Sequence, residues 1–365
     1  MKKRLHVVCM TILIVVFGAC SQQTLSYSGN VSAPNAGCEF FSYAPSSNLR
    51  PYIRNNTLVS GWDGSRLRGG TFWIFGTPTV LRYKTDWALN DEAWQSIEER
   101  GFNAVRVACG YRPESADSYT IAEYTEILDE IIKRAEEINV NVIIDYHPDP
   151  GTYYDKTNDV IRYGGYARDF WTTMAARYKA NTNVIYELVN EPVFDRPGVY
   201  GDVLMTEFQE LWTLCDTLAP DVPIIVLSFC AVGYSAKADN DVPAEKAAEF
   251  DVNVIDWSKT AVGFHAYWAR TPDEDYRGIG SANRMRDLVS KYPCINTEFM
   301  ISYDSDVVME KRSIEGYSYI GTLMEKMGIS WLQWDIVDRE DSIVNDLPLV
   351  IEDLKEKNCY WADFN

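Results

Sequence analysis

Histidine is the scarcest reactive residue in this 365-residue chain; there are three, His6, His147 and His265. Eight cysteines occur but no CxxC pair, so a Cys/His metal site has almost no material. Basic residues are also few, 34 Lys and Arg against 53 Asp and Glu, for a net charge of −19. Phosphate binding relies on clustered cations, which argues against nucleic acid as a partner. No GxGxxG follows a strand-like run, which removes the usual dinucleotide fingerprint. The acidic clusters Asp273-Glu274-Asp275 and Asp338-Arg339-Glu340-Asp341 lack the spacing of a calcium loop. No 20–50-residue repeat and no low-complexity block is present. No cofactor and no metal is expected. What the chain does have is apolar and aromatic surface: 46% hydrophobic residues, with 11 Trp, 23 Tyr and 14 Phe. That excludes a mostly disordered chain, and the length suffices for one large domain.

The first residues read as an address. Lys2, Lys3 and Arg4 precede an apolar run from Val7 to Phe17, then Gly18-Ala19-Cys20 and a polar stretch. This is the pattern of a secretory signal, and the run is shorter than the ~20 residues a bilayer span needs. Phe17-Gly18-Ala19-Cys20 resembles a bacterial lipoprotein box, with Phe17 in place of the usual Leu. Residues 1–19 are therefore expected to be a lipoprotein-type signal and Cys20 the lipidated residue. The protein is expected to be exported and anchored to the outer membrane by lipid alone, on its periplasmic or surface face, and to be a monomer. Residues 20–54, rich in Ser, Asn, Pro and Gly at their start, read as a tether and irregular segment. Cys109, Cys230 and Cys294 lie in apolar runs and read as buried thiols, while Cys38 and Cys359 could tie the two ends together.

From residue 55 to 365 one rhythm holds. Thr57-Leu58-Val59 and Arg66-Leu67-Arg68, around Asp63-Gly64, predict a hairpin. Apolar, β-branched runs at 70–75, 102–108, 140–146, 184–190, 223–229, 260–266, 293–298 and 329–334 predict strands. Helical spacing falls between them, at about 91–100, 120–138, 165–180, 202–218, 280–291, 309–327 and 347–357, with a short helix at 244–250. Eight strands each followed by a helix or long connection predict an α/β fold, a (β/α)8 TIM barrel.

Such barrels build their sites from the C-terminal strand ends, and polar residues collect there in this chain. Arg106 lies on the second strand, and His147 follows the third. Asn190-Glu191-Pro192 ends the fourth, and His265-Ala266-Tyr267 ends the sixth. Thr297-Glu298-Phe299 ends the seventh, and Trp334 the eighth. Glu191 and Glu298 both follow apolar runs, as suits a carboxyl pair with one member protonated and the other ionised. Glu187, four residues earlier, reads as a structural carboxylate ~13 Å deeper along the strand.

Together with Leu67-Arg68-Gly69, these ordered elements resemble the signature of glycoside hydrolase family 5, from about residue 55 to the end. The resemblance implies a retaining β-glycanase with Glu191 as acid/base and Glu298 as nucleophile. It implies that Arg106 hydrogen-bonds Glu298 and that Asn190 meets the sugar 2-hydroxyl. His265 and Tyr267 would position Glu298 and the ring, His147 would line the subsite, and Trp334 would form its apolar floor. The expected substrate is a β-1,4-linked polysaccharide or oligosaccharide. Val142-Ile143-Ile144-Asp145 and the run 184–189 resemble the family's endoglucanases and favour a β-glucan; mannan and other hemicelluloses stay open. A second reading, from another class, is a non-catalytic glycan-binding lipoprotein on a hydrolase scaffold.

Overall fold

The computed structural model describes residues 49–75, 82–99, 101–116, 118–230, 243–266, 276–299, 324–325 and 327–334. The side chains of 82–84 and 276–282 are outside that description. Eight parallel strands form the barrel: β1 (Arg68–Ile74), β2 (Ala104–Cys109), β3 (Asn141–Tyr146), β4 (Val184–Glu187), β5 (Ile224–Phe229), β6 (Thr260–His265), β7 (Cys294–Glu298) and β8 (Ser330–Gln333). Each pairs with the next, and β8 closes the ring by pairing with both β7 and β1. All eight runs predicted from the sequence are strands. The fourth is shorter than its apolar run, because the chain leaves the ladder after Glu187.

The helices follow from the same alternation. Helix α1 (Arg82–Ala88) and α2 (Asp91–Glu99) connect β1 to β2, and α3 (Ile121–Glu137) connects β2 to β3. Thr120 caps α3: its side chain accepts from the Glu123 N–H while Glu123 reaches back to Thr120. Tyr124, Leu128, Ile131, Ile132 and Ala135 form its buried face, and Asn139 ends the turn in a left-handed conformation, φ 58°. Gly164–Tyr178 (α4), Asp202–Leu218 (α5), Pro243–Ala247 (α6) and Tyr276–Lys291 (α7) complete the described outer layer. No helix among the described residues is long and apolar enough to cross a membrane.

Strand residues alternate between two environments, as a period of two requires. Val105, Val107, Val142, Ile144, Tyr186, Val262, Phe264 and Cys294 face the helices. Ala104, Ile143, Ile185, Ile225, Ala261, Ile295 and Leu332 face inward and form a separate apolar cluster with Ile53, Leu58 and Leu67. That cluster is the floor of the barrel. Two residues further along these strands come Arg106, Asp145, Glu187, Gly263 and Thr297, so the next layer up is polar.

The hairpin differs from the expectation. Thr57–Val59 pairs antiparallel with Tyr52–Arg54, and toward Arg66 it makes only the single bridge from Val59. Asn55 and Asn56 both adopt positive φ, 51° and 55°, giving a two-residue turn whose twist suits adjacent strands. Asp63-Gly64 instead belongs to a wider loop, where Asp63 accepts from the Ser65 N–H. The chain meets the barrel already at Arg50, whose Nη1 donates to the Asn181 carbonyl at 2.9 Å. The hairpin is stitched to the β7–β8 seam. Thr57 Oγ1 donates to the Cys294 carbonyl at 2.8 Å and accepts from the Ser330 N–H at 2.9 Å.

Cys109, Cys215 and Cys294 are buried free thiols, and Cys230 is buried as well. Cys20, Cys38 and Cys359 lie outside the described residues, as do the helices expected at 309–327, beyond its last residues, and 347–357.

Gly69 explains its own presence in the Leu67-Arg68-Gly69 element. A Cβ there would lie 1.7 Å from the Ala104 carbonyl oxygen on β2, a backbone atom that cannot swing away. Gly69→Ala should cost about 1–3 kcal/mol through forced strand separation. The readout is a thermal midpoint lowered by several degrees in circular dichroism. An unchanged midpoint would show that the strands do not approach this closely.

Candidate active site

Alternation delivers Arg106 into the polar layer, fully buried, and its guanidinium organises what surrounds it. Nε and Nη2 grip Glu187 at 2.6 and 3.1 Å. Nη1 donates to Glu298 Oε1 at 2.6 Å. Nη2 also meets Asp145 Oδ2 and Asn190 Oδ1, each at 2.8 Å. Burial alone works against the cation, but Asp145, Glu187 and Glu298 hold its charge well above the usual arginine range.

Two backbone irregularities aim the remaining groups. Phe264 pairs with Asn296 whereas His265 pairs with Glu298, so Thr297 is an extra residue on β7. This bulge turns Glu298 inward beside the inward-facing Thr297, where strict alternation would face it outward. Between β5 and β6, Val262 pairs with Val226 and Phe264 with Phe229, so β5 too carries one extra residue. Leu227 and Ser228 take positive φ there, 73° and 33°. The bulge lets Ser228 Oγ donate to Glu187 Oε1 at 2.6 Å. Gly263 makes room for it, since a Cβ would stand 2.7 Å from Ser228 Oγ. Glu191 itself has φ 31°, a strained conformation at the point where the chain turns over the barrel mouth.

The two glutamates face each other. The donor atoms of Glu191, His265 and Glu298 all lie within 4.8 Å of one another, and all three residues are buried. Burial pushes the Glu191 carboxyl up to about 7, with His147 and Arg106 opposing the shift. Glu298 has the Arg106 cation 2.6 Å away, whereas Glu191 has His265 Nδ1 at 2.6 Å. Burial also pushes Asp145 up to about 7, and takes both His147 and His265 down to about 4. Two carboxyls in such unlike surroundings suit different roles in one reaction. Among the described residues this trio is the group able to hold a cation. Its members are already committed, however, Glu191 to His265 and Glu298 to Arg106.

The residues singled out in the sequence converge, with one change of partner. Asn190 is buried and donates through Nδ2 toward His147 Nε2 at 3.2 Å. His147 Nδ1 lies 2.6 Å from Asp145 Oδ2, so Asp145, His147 and Asn190 form one chain. His265, expected beside Glu298, is closer to Glu191: its Nδ1 lies 2.6 Å from Glu191 and 3.5 Å from Glu298. The inward turn of Glu191 brings this about. Trp334, half-buried, stacks on His147 with centroids 5.4 Å apart and planes at 16°. Tyr267 lies outside the described residues. Phe299 is buried, with its ring edge-on to Trp331. Tyr146, Tyr153 and Tyr154 are buried packing residues.

Sequence reasoning missed five participants and misplaced a sixth. Asp145, Ser228 and Thr297 enter through hydrogen bonds, and Asp145 and Thr297 could have been found from the inward phase of Ile143 and Ile295. Trp73 and Phe75 complete an aromatic wall. Trp73 lies 5.4 Å from Trp334, and Phe75 meets His147 edge-on at 5.5 Å. Barrel closure makes β1 and β8 neighbours, which adjacency in sequence does not reveal. Glu187 is structural as expected, yet its carboxylate is not remote. It shares Arg106 with Glu298, because the arginine spans the distance between strand positions.

Comparison with known proteins places the chain in a family and bears out its fold. The family model for cellulase, glycosyl hydrolase family 5, matches residues 68–340. Endoglucanase E-5 of Thermobifida fusca is 27% identical over 222 residues, covering 59% of this chain and 41% of that protein. The chain spans about two fifths of the length of the curated relatives it matches. The catalytic domain of that endoglucanase, solved with cellotetraose, superposes with a TM-score of 0.57 at 21% identity, over 80% of this chain and 86% of the other. A β-glucanase from Saccharophagus degradans, also with cellotetraose, gives 0.59 at 15% identity, over 88% and 99%. At these identities the superpositions show the fold, a TIM barrel.

Proposed function

The chain belongs to glycosyl hydrolase family 5, and from that membership we propose that it is a retaining endoglucanase acting on β-1,4-linked glucan. The observation that carries this reading is the pair Glu191 and Glu298, facing across the barrel mouth with carboxyl oxygens within 4.8 Å of each other. Retaining enzymes hold their two carboxyl groups ~5–5.5 Å apart, whereas an inverting pair leaves room for a water at ~6.5–9.5 Å. In the first step a Glu298 oxygen attacks the anomeric carbon while Glu191 gives its proton to the departing glycosidic oxygen. In the second, Glu191 takes a proton from water, which attacks the same carbon and releases Glu298. Arg106 holds Glu298 in line, and Asn190, oriented by Arg106 and His147, presents its amide to the sugar 2-hydroxyl. Trp334 and Trp73 offer apolar faces to the C–H faces of the ring. Names of relatives favour glucan over mannan or xylan, since an endoglucanase and a cellotetraose-bound β-glucanase are among them. Export with a lipid anchor at Cys20 remains part of the proposal, on the strength of the basic, apolar, small-residue sequence of residues 1–20.

The test is product sizing after incubation with soluble β-1,4-glucan, mannan and xylan. Short cello-oligosaccharides with initially β anomers are expected from the glucan. Tight oligosaccharide binding with no products would favour the glycan-binding alternative. The raised Glu191 sets the pH dependence: the acid must be protonated, so kcat/KM should fall as pH rises through about 7. A rate unchanged from pH 6 to 9 would remove Glu191 from the acid role.

A further inference from the structure

Hydrogen-bond directions around His265 settle where its proton sits. Glu187 is ringed by donors: Ser228 Oγ, Thr297 Oγ1 and Arg106 Nη2 reach Oε1, and Arg106 Nε reaches Oε2. The Thr297 hydroxyl therefore gives its one hydrogen to Glu187, at 3.0 Å. Toward His265 Nε2, 3.2 Å away, Thr297 Oγ1 is left to accept. Nε2 thus carries the proton. A neutral imidazole has one N–H, so Nδ1 presents a lone pair to Glu191 Oε1 at 2.6 Å. Two acceptors do not share so short a contact without a hydrogen, which places one on Glu191.

We propose that Glu187 is a positioning residue for the acid/base: by taking the Thr297 hydrogen it holds His265 as the Nε2–H tautomer, whose Nδ1 lone pair keeps the proton on Glu191. The same carboxylate, through its grip on Arg106, aims Nη1 at Glu298. Glu187 thereby orients both catalytic carboxyls from below without touching substrate. After Glu191 has protonated the leaving oxygen, its carboxylate faces the Nδ1 lone pair. That repulsion favours taking the proton of the attacking water in the second step.

Among the described residues, the charged and titratable groups facing this pair are Glu298, whose Oε2 is 3.5 Å from His265 Nδ1, together with Arg106, Asp145, His147, Glu187 and Tyr200. Burial, which raises Glu191 and lowers His265, acts in the same sense. The second histidine is wired the opposite way. Arg106 holds the Asn190 oxygen, so its amide donates to His147 Nε2, and His147 Nδ1–H points to Asp145. One site therefore contains two opposite tautomers.

The proposal rests on reading Glu191 as the acid/base, and its test separates the two ideas. The full chain is labelled with 15N-histidine, and ring nitrogens are read by NMR at pH 6, with His6→Gln and His147→Gln assigning the signals. His265 is expected to carry Nε2–H and His147 Nδ1–H. Thr297→Val removes the acceptor, so His265 should switch to Nδ1–H and donate to an ionised Glu191. The alkaline limb of kcat/KM should then move down by about one pH unit. Thr297→Ser, which keeps the hydroxyl, should restore both tautomer and limb. Nδ1–H on His265 in the parent protein would overturn the proposal without any variant. So would a Thr297→Val protein with an unchanged tautomer. Failure of the glucanase reading would show differently, as absent hydrolysis beside an unaltered His265 spectrum.

Discussion

Glu298→Ala should reduce kcat/KM on soluble β-glucan by roughly 100,000-fold, the order that follows deletion of an attacking group. The fold should survive, because Arg106 keeps Asp145, Glu187 and Asn190 as partners when Glu298 is gone. Azide sharpens the test. A small anion can enter the space beside Arg106, attack the anomeric carbon from the vacated side and expel the leaving sugar, which Glu191 protonates. The variant should therefore recover turnover with azide and release an α-glycosyl azide. Near-normal hydrolysis without azide would remove Glu298 from its role. A β-glycosyl azide would place the attack on the wrong face.

Arg106→Leu should have the largest effect on stability. Arginine is the cation shared by three carboxylates, and Arg106, Asp145 and Glu187 are fully buried. Removing one partner of a buried ion pair costs about 3–5 kcal/mol, because the remaining charge is stranded away from water. Here three charges lose their partner together, so the thermal midpoint should fall by roughly 10 °C or more. The stranded carboxyls can escape part of the penalty by binding protons in the folded state. The folded protein then holds more protons than the unfolded one, so stability drops as pH rises, and the deficit should be larger at pH 8 than at pH 5. Urea titrations of parent and variant at both values would measure it. A deficit below about 1 kcal/mol, or one that shrinks at pH 8, would contradict the buried network.

Much of this architecture was legible in the residues. The apolar, β-branched runs located all eight strands, and the capped pattern after Thr120 located α3, because both signals are local. Less legible was where a strand stops. The run 184–189 is apolar on both sides of Glu187, yet β4 ends at Glu187, since Leu188 and Val189 belong to the turn that carries Glu191 over the mouth. The estimate that Glu187 lies far from the reaction assumed a straight ladder and isolated side chains. It could not foresee an arginine long enough to join both layers. The resemblance puts His265 beside Glu298, and only the folded barrel shows Glu191 to be nearer.

The sequence by itself determined which groups are available and which way most of them face. Two-residue alternation put Arg106, Asp145, Glu187 and Thr297 inside the barrel, and apolar floor residues beneath them. Only the tertiary structure decided who meets whom. Arg106 and Glu298 are 192 residues apart, and their contact exists because the ring closes and a bulge at Thr297 turns Glu298 inward. The proton directions through Thr297 and His265 depend on that same shift. Alternation is a property of neighbouring residues, whereas register between strands and the choice of hydrogen-bond partner are properties of the assembled barrel.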